Sequence, residues 1–191
     1  MSLNKLIVKT KNNHYPIIIG NNLISKISQI LKNNKINYNK CLLVVDKKVP
    51  KYLLKKITTS LSKKKTLIHL FHANELQKNQ ANVNKILNIL LKNNFHRNDC
   101  LISLGGGITG DVSGFASSIF KRGITFVNIP TTLLAQVDSS IGGKTGINSK
   151  FGKNSIGSFY QPKLVISDIV FLHSLPKREI ICGYGEILKH A

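Results

Sequence analysis

Acidic residues are scarce in this chain of 191 residues: 8 Asp and Glu stand against 28 Lys and Arg, a formal net charge of +20. Aromatic residues are few as well, at 7%, and arginine occurs only at Arg97, Arg122 and Arg178. A nucleic-acid reader draws on arginine forks and stacking rings, so the charge does not by itself point to nucleic acid. The excess is lysine mixed with asparagine and isoleucine, mostly before residue 100, as in Lys32-Asn33-Asn34-Lys35-Ile36-Asn37. These three residue types share A/T-rich codons, so base bias accounts for the mixture, and most of the charge is read as solvated faces. Long apolar runs are missing too. Cys41–Val45 and Ile86–Leu91 fall far short of the roughly 20 residues of a membrane span. The N-terminal segment has no apolar stretch of signal-peptide length and carries Lys5, Lys9 and Lys11. Three cysteines, far apart and without metal-ligand spacing, give neither a disulfide framework nor a cysteine-rich zinc module. The expected setting is the cytoplasm, with no membrane partner.

Hydrophobic residues make up 42%, enough for a proper core in one large domain or two small ones. Short β-rich runs (Leu6–Val8, Tyr15–Ile19, Cys41–Val45, Thr66–Phe71, Cys100–Leu104, Thr125–Ile129, Leu164–Ile166) read as strands. Between them, Leu23, Ile27, Ile30 and Leu31 keep one helical face, and Val83, Ile86, Leu87 and Leu90 another. This alternation predicts an α/β domain with a largely parallel sheet. A last helix is expected after Pro176, running to Ala191 without a C-cap glycine or a closing charge pattern.

The chemistry concentrates after residue 98, where lysine thins and glycine becomes frequent. Gly105-Gly106-Gly107-Ile108-Thr109-Gly110-Asp111 follows a strand and opens a helix, with glycines at the G-x-G-x-x-G spacing. That arrangement presents a helix N-terminus to a pyrophosphate. The acid expected about 20 residues later is missing, and a tight strand-to-helix turn remains the alternative. Next, Pro130-Thr131-Thr132 leads into Gln136-Val137-Asp138-Ser139-Ser140-Ile141-Gly142-Gly143-Lys144-Thr145. Gly143-Lys144-Thr145 invites a P-loop reading, but Asp138 occupies the position of the first glycine and would face phosphates with a carboxylate. What survives is a polar loop with one carboxylate, one lysine and several hydroxyls, suited to a phosphorylated polyol, or else a Gly/Ser-rich surface loop. A third loop, Gly152–Pro162, carries Lys153 and Asn154. On the last helix, Glu186 shares a face with Lys189 (i, i+3) and with His190 (i, i+4); the second spacing is common among metal ligands, and the first reads equally as a solvated ion pair.

Taken in order, Gly-Gly-Gly-x-x-Gly-Asp, Pro-Thr-Thr-Leu-Leu-x-Gln-Val-Asp-Ser-Ser-x-Gly-Gly-Lys-Thr, Gly-Lys-Asn-x-Ile-Gly-x-Phe-x-Gln-Pro and Gly-x-x-Glu-x-x-Lys resemble the 3-dehydroquinate synthase family of the shikimate pathway. The likeness is dense from about residue 99 to 191 and looser before it. It implies a Rossmann-like NAD domain over residues 1–175 and the start of a helical metal and substrate domain over 176–191. It implies NAD contacts at Asp46, Glu75, Lys78, Gly106, Gly107, Ile108, Thr109, Gly110, Asp111, Thr131, Thr132, Lys144, Lys153, Phe171, Leu172, His173 and Ser174. Asp138, Lys144, Asn154 and Lys189 would hold the substrate, and Arg122 would reach a phosphate site of the neighbouring subunit in a homodimer. Glu186 would bind a divalent metal, zinc or cobalt, together with two histidines lying beyond residue 191; His190 stands at a position that is not a ligand in the family. Many members carry Asp-Gly where Ala73-Asn74 stand here, and alanine has no acceptor for a ribose hydroxyl.

The implied reaction converts 3-deoxy-arabino-heptulosonate 7-phosphate to 3-dehydroquinate. Transient oxidation by NAD at a metal-acidified hydroxyl permits phosphate elimination, followed by re-reduction and ring closure. The lysines and Arg122 would neutralise charge and hold one conformer. A single Glu cannot hold zinc, so the chain, as a fragment or a shortened gene product, is expected to bind NAD weakly and to be inactive alone. Other sugar-phosphate cyclases and polyol dehydrogenases are the enzymatic alternatives. A non-catalytic basic remnant that binds a partner protein or nucleic acid is the alternative of a different class.

Overall fold

A computed structural model describes residues 4–10 and 13–190. Nine strands are present among them: β1 (Asn4–Lys9), β2 (His14–Gly20), β3 (Lys40–Asp46), β4 (Lys65–Phe71), β5 (Cys100–Gly105), β6 (Thr125–Pro130), β7 (Lys144–Ser149), β8 (Gly152–Phe159) and β9 (Leu164–Asp168). Five helices accompany them: α1 (Ile27–Asn33), α2 (Lys51–Leu61), α3 (Gln80–Lys92), α4 (Gly107–Ile119) and α5 (Lys177–His190). Seven strands form one sheet in the order β1-β2-β9-β6-β5-β3-β4. Only the β1–β2 pair is antiparallel; every other pairing in that sheet is parallel. The expected α/β architecture is therefore the observed one.

The central strands are apolar on both faces because helices cover both. Cys41, Leu43 and Val45 of β3 pack with Ile27, Leu31, Leu53 and Ile57 of α1 and α2. Leu42 and Val44 of the same strand pack with Val83, Ile86, Val112 and Phe115 of α3 and α4. The alternation along β3 thus assigns successive side chains to two separate cores. Chain order reverses between β3 and β5: β4 lies outward of β3 on one side, whereas β5, β6 and β9 lie on the other. Such a switch point opens a crevice at the carboxyl ends of the strands, and Asp46 and Gly105 terminate β3 and β5 there.

The strands expected from the sequence all form, with ends extended by up to a few residues. Two departures matter for function. The polar and glycine-framed segments after residue 143 are not loops but the strands of a separate antiparallel hairpin, β7–β8. Gly146 and Gly157 make it possible, since a Cβ would lie 2.7 Å from the Ile156 carbonyl at the first and 2.1 Å from the Thr145 carbonyl at the second. The segment before the hairpin forms a π-helical turn, Ala135–Ser139. The last helix begins after Pro176 as expected and is described to His190; Ala191 lies outside the described residues. No helix among them is long and apolar enough to cross a membrane.

Candidate active site

The glycine-rich turn is shaped first by packing. A Cβ at Gly105 would lie 2.5 Å from Thr109 Oγ1 and 3.0 Å from Asp46 Cβ, so β5 must end on glycine for α4 to start where it does. Gly107 is equally confined, with Ser139 Oγ 2.8 Å from the position of a Cβ. Gly106 caps α4 without any side-chain hydrogen bond to the first turn. The first amides of the 13-residue α4 therefore remain free to meet an anion.

A cleft of about 720 Å³ opens at this point. Asp46, Ala73 and Glu75 line one side, Gly106, Gly107, Ile108 and Asp111 the floor, and Thr131, Thr132, Phe171 and Ser174 the other side. A second cleft of about 530 Å³ adjoins it and is lined by Asp111, Asp138, Ser139, Lys144, Asn154 and Ser158. Asp111, Asp138 and Ser139 belong to both, so the two clefts are continuous. Gln136 holds this junction in place, donating through Nε2 to the carbonyls of Pro130 at 3.2 Å and Asp168 at 3.0 Å.

Electrostatics at the junction centre on Asp111. Burial pushes its carboxyl up from the ordinary carboxylate range, and the Lys78 ammonium, 2.5 Å from Oδ2, acts in the opposite direction. Asp46 is also raised by burial, while its carboxylate accepts from the Lys48 backbone at 3.0 Å. On α5, Lys189 forms an ion pair with Glu186 and holds that carboxyl below its usual range. His190 Nε2 lies 3.0 Å from Glu186 Oε1. Asp138, from the π-helical turn, closes the group: one donor atom each of Asp138, Glu186 and His190 lie within 4.8 Å of one another. Two carboxylates and an imidazole suit zinc or cobalt.

Most residues singled out in the sequence meet here, but not all in the same way. Thr109 and Gly110 lie buried beneath the turn, and the Thr109 hydroxyl has no hydrogen-bond partner. Lys78, Lys153, Leu172 and His173 line neither cleft. Nor do Arg122 and Lys189; Arg122 is exposed at the end of α4 in a left-handed conformation, φ 65°. Sequence reasoning missed Lys48, Leu134 and Glu179 in the first cleft. It also missed Asn148, which links Glu75 to the hairpin through a 2.7 Å bond to Oε1. Leu134 sits within the Pro-Thr-Thr-Leu-Leu stretch as an apolar residue with no chemical signal of its own, whereas Lys48, Asn148 and Glu179 lie outside the four motifs, and only the folded chain brings them in.

Known proteins resemble this chain along its whole length. The family model described as 3-dehydroquinate synthase N-terminal matches residues 68–182. A 3-dehydroquinate synthase of Pelagibacter ubique is 65% identical over 191 residues, covering 100% of this chain and 52% of that protein. One of Buchnera aphidicola is 48% identical, covering 96% and 50%. The chain spans about half the length of the curated relatives it matches. Among solved structures, 2-deoxy-scyllo-inosose synthase complexed with carbaglucose-6-phosphate, NAD+ and Co2+ superposes with a TM-score of 0.90 at 24% identity, covering 97% of this chain and 50% of that one; this likeness is one of fold. The 2-epi-5-epi-valiolone synthase of Streptomyces hygroscopicus, with NAD+ and Zn2+ bound, gives 0.84 at 25% identity, covering 96% and 51%. With the family model matched over more than half of its residues, the chain belongs to the 3-dehydroquinate synthase family.

Proposed function

We propose that this chain is the NAD-binding half of a 3-dehydroquinate synthase, acting on 3-deoxy-arabino-heptulosonate 7-phosphate. The observation that carries the reading is the continuity of the two clefts through Asp111, Asp138 and Ser139. It sets a dinucleotide beside a polyol, as an enzyme that oxidises and re-reduces one substrate requires. Gly106, Gly107 and Ile108, at the uncapped start of α4, receive the pyrophosphate, with Thr131 and Thr132 opposite. Asp46 and Glu75 take ribose hydroxyls. Ala73 lacks an acceptor, so Asp46 carries that contact on its side of the cleft. Phe171 and Ser174 complete the wall.

In the second cleft Asp138 accepts from substrate hydroxyls, Asn154 donates and accepts, and Lys144 neutralises carboxylate or phosphate charge as a point charge. Lys189, released from Glu186, adds a second ammonium on the same side. Arg122 serves the phosphate site of the neighbouring subunit in a homodimer. Glu186, with Asp138 and His190 beside it, holds the divalent metal. When bound, NAD supplies a reversible hydride acceptor and the metal a Lewis acid. The residues of the chain hold one conformer of the substrate and balance its charge. We divide the chain at residue 175, with α5 opening the metal and substrate domain, and attribute full turnover to a protein of the length of its relatives.

Calorimetric titration with NAD+ is the direct test, followed by a phosphate-release assay on the heptulosonate phosphate with NAD+ and Co2+ present. The expected result is NAD+ binding by the chain alone, with no phosphate release and no NADH accumulation. Absence of NAD+ binding would overturn the reading of the first cleft, and net NADH formation from a polyol would point to a dehydrogenase.

A further inference from the structure

The β7–β8 hairpin carries Lys144 and Asn154, yet packing alone does little to fix its tip. Gly152 to Gly157 are all exposed, and Phe151 and Phe159, at either end of β8, are 87% and 80% exposed. What ties the tip down is a chain of polar contacts to the segment at residues 75–78. The Asn148 backbone amide donates to the Lys78 carbonyl at 2.8 Å. Its side-chain oxygen accepts from the Asn154 backbone amide at 2.8 Å. Asn154 itself stands at φ 53°, a left-handed conformation that asparagine tolerates better than most residues. Its Oδ1 accepts from the Lys78 ammonium at 2.5 Å.

Lys78 is 6% exposed and lines neither cleft, whereas its other partner, Asp111, lines both. A buried ammonium is strongly disfavoured without a counter-charge, so the position of Lys78 depends on Asp111 remaining ionised. The same ammonium then reaches Asn154 in the second cleft. The Asp111 side chain keeps 20% exposure; a nucleotide lying over it would exclude solvent there and strengthen the Lys78–Asp111 pair.

We propose that Lys78 is a positioning residue that couples the two clefts: it pins the β7–β8 hairpin through Asn154 and tightens that pin when a nucleotide covers Asp111. The coupling rests on the reading of the first cleft as an NAD site, whereas the pinning of the hairpin by Lys78 does not. Coupling of this kind is reciprocal, so a fixed hairpin also favours the bound nucleotide.

Hydrogen exchange of the whole chain, read in the hairpin (residues 144–159), in the first-cleft segments and in β5 as a folding reference, tests it. In Lys78→Met and in Asn154→Ala the hairpin amides are expected to exchange about tenfold faster than in the wild type while β5 stays protected. The double variant should be no faster than either single one, and Lys78→Arg should recover part of the protection. Saturating NAD+ should slow the wild-type hairpin by about threefold and leave it unchanged in Lys78→Met. Unaltered hairpin exchange in the free Lys78→Met protein would overturn the pin. Protection of the first cleft without protection of the hairpin would overturn the coupling alone. No protection of the first cleft by NAD+ would instead overturn the NAD reading, with the free-state comparison still deciding the pin. If Lys78→Met loses β5 protection, Asn154→Ala decides, because its side chain lies on the exposed hairpin.

Discussion

Asp111 is raised by burial and opposed by Lys78, and this pair makes a prediction about pH. An acid whose pKa is higher folded than unfolded weakens the fold above the folded value and not below the unfolded one. Removing the ammonium deepens that penalty. Urea midpoints of Lys78→Met and wild type should therefore differ least near about pH 4 and most near about pH 7.5. A difference that stays constant across that range would detach the effect from Asp111. Gly105 offers a second test at this scale. A Cβ there meets Thr109 and Asp46 side chains at 2.5 and 3.0 Å, so Gly105→Ala should cost about 2 kcal/mol of unfolding free energy, measured by urea denaturation. Unchanged stability would show that α4 can shift to accommodate a methyl group.

Among the five helices, α5 is bound most narrowly. Gly183 is its one buried residue, pressed so closely on Leu133 that a Cβ would lie 2.5 Å from the Leu133 side chain. Ile181, Tyr184 and Leu188 on the same helix are exposed. Gly183→Val should therefore lift α5 and leave the sheet intact. The measurement is faster exchange in α5 with no change in β3 or β5. It should also separate Glu186 and His190 from Asp138, because the π-helical turn that holds Asp138 contacts α5 directly. Cobalt binding, read by its visible absorption, should weaken with it. Undiminished cobalt binding in that variant would mean that Asp138 contributes nothing to the metal.

At the scale of the whole molecule, ligand binding adds stability by mass action. If the first cleft takes NAD+, a concentration of 100 times Kd should add about 2.7 kcal/mol, which raises the melting temperature by about 5–10 °C in a domain of this size. The surface charge of +20 should show only as weak retention on a polyanion matrix that falls steeply with salt. Strong retention at low salt that falls steeply as salt rises, with no response to NAD+, would support the basic-remnant reading instead.

The seven strands of the main sheet, the two helical faces and the glycine-rich turn after β5 are legible in the sequence alone. Each is a local pattern: alternation or helical spacing that meets a core, or glycine where a side chain would collide. The four motifs sufficed to place the chain in its family, because many of the residues that line the two clefts cluster in short segments. The β7–β8 hairpin was not legible. Its polar and glycine-rich strands bury little, so no apolar alternation marks them. The position of Lys78 was equally hidden, since its partners lie 33 and 76 residues away. So was the approach of His190 and Glu186 to Asp138, residues on separate elements with no common spacing. Those meetings follow from the reversal of strand order between β3 and β5 and from α5 docking on Leu133. Burial, ion pairing and ligand geometry act through space, and only the closed fold sets which distant residues share it.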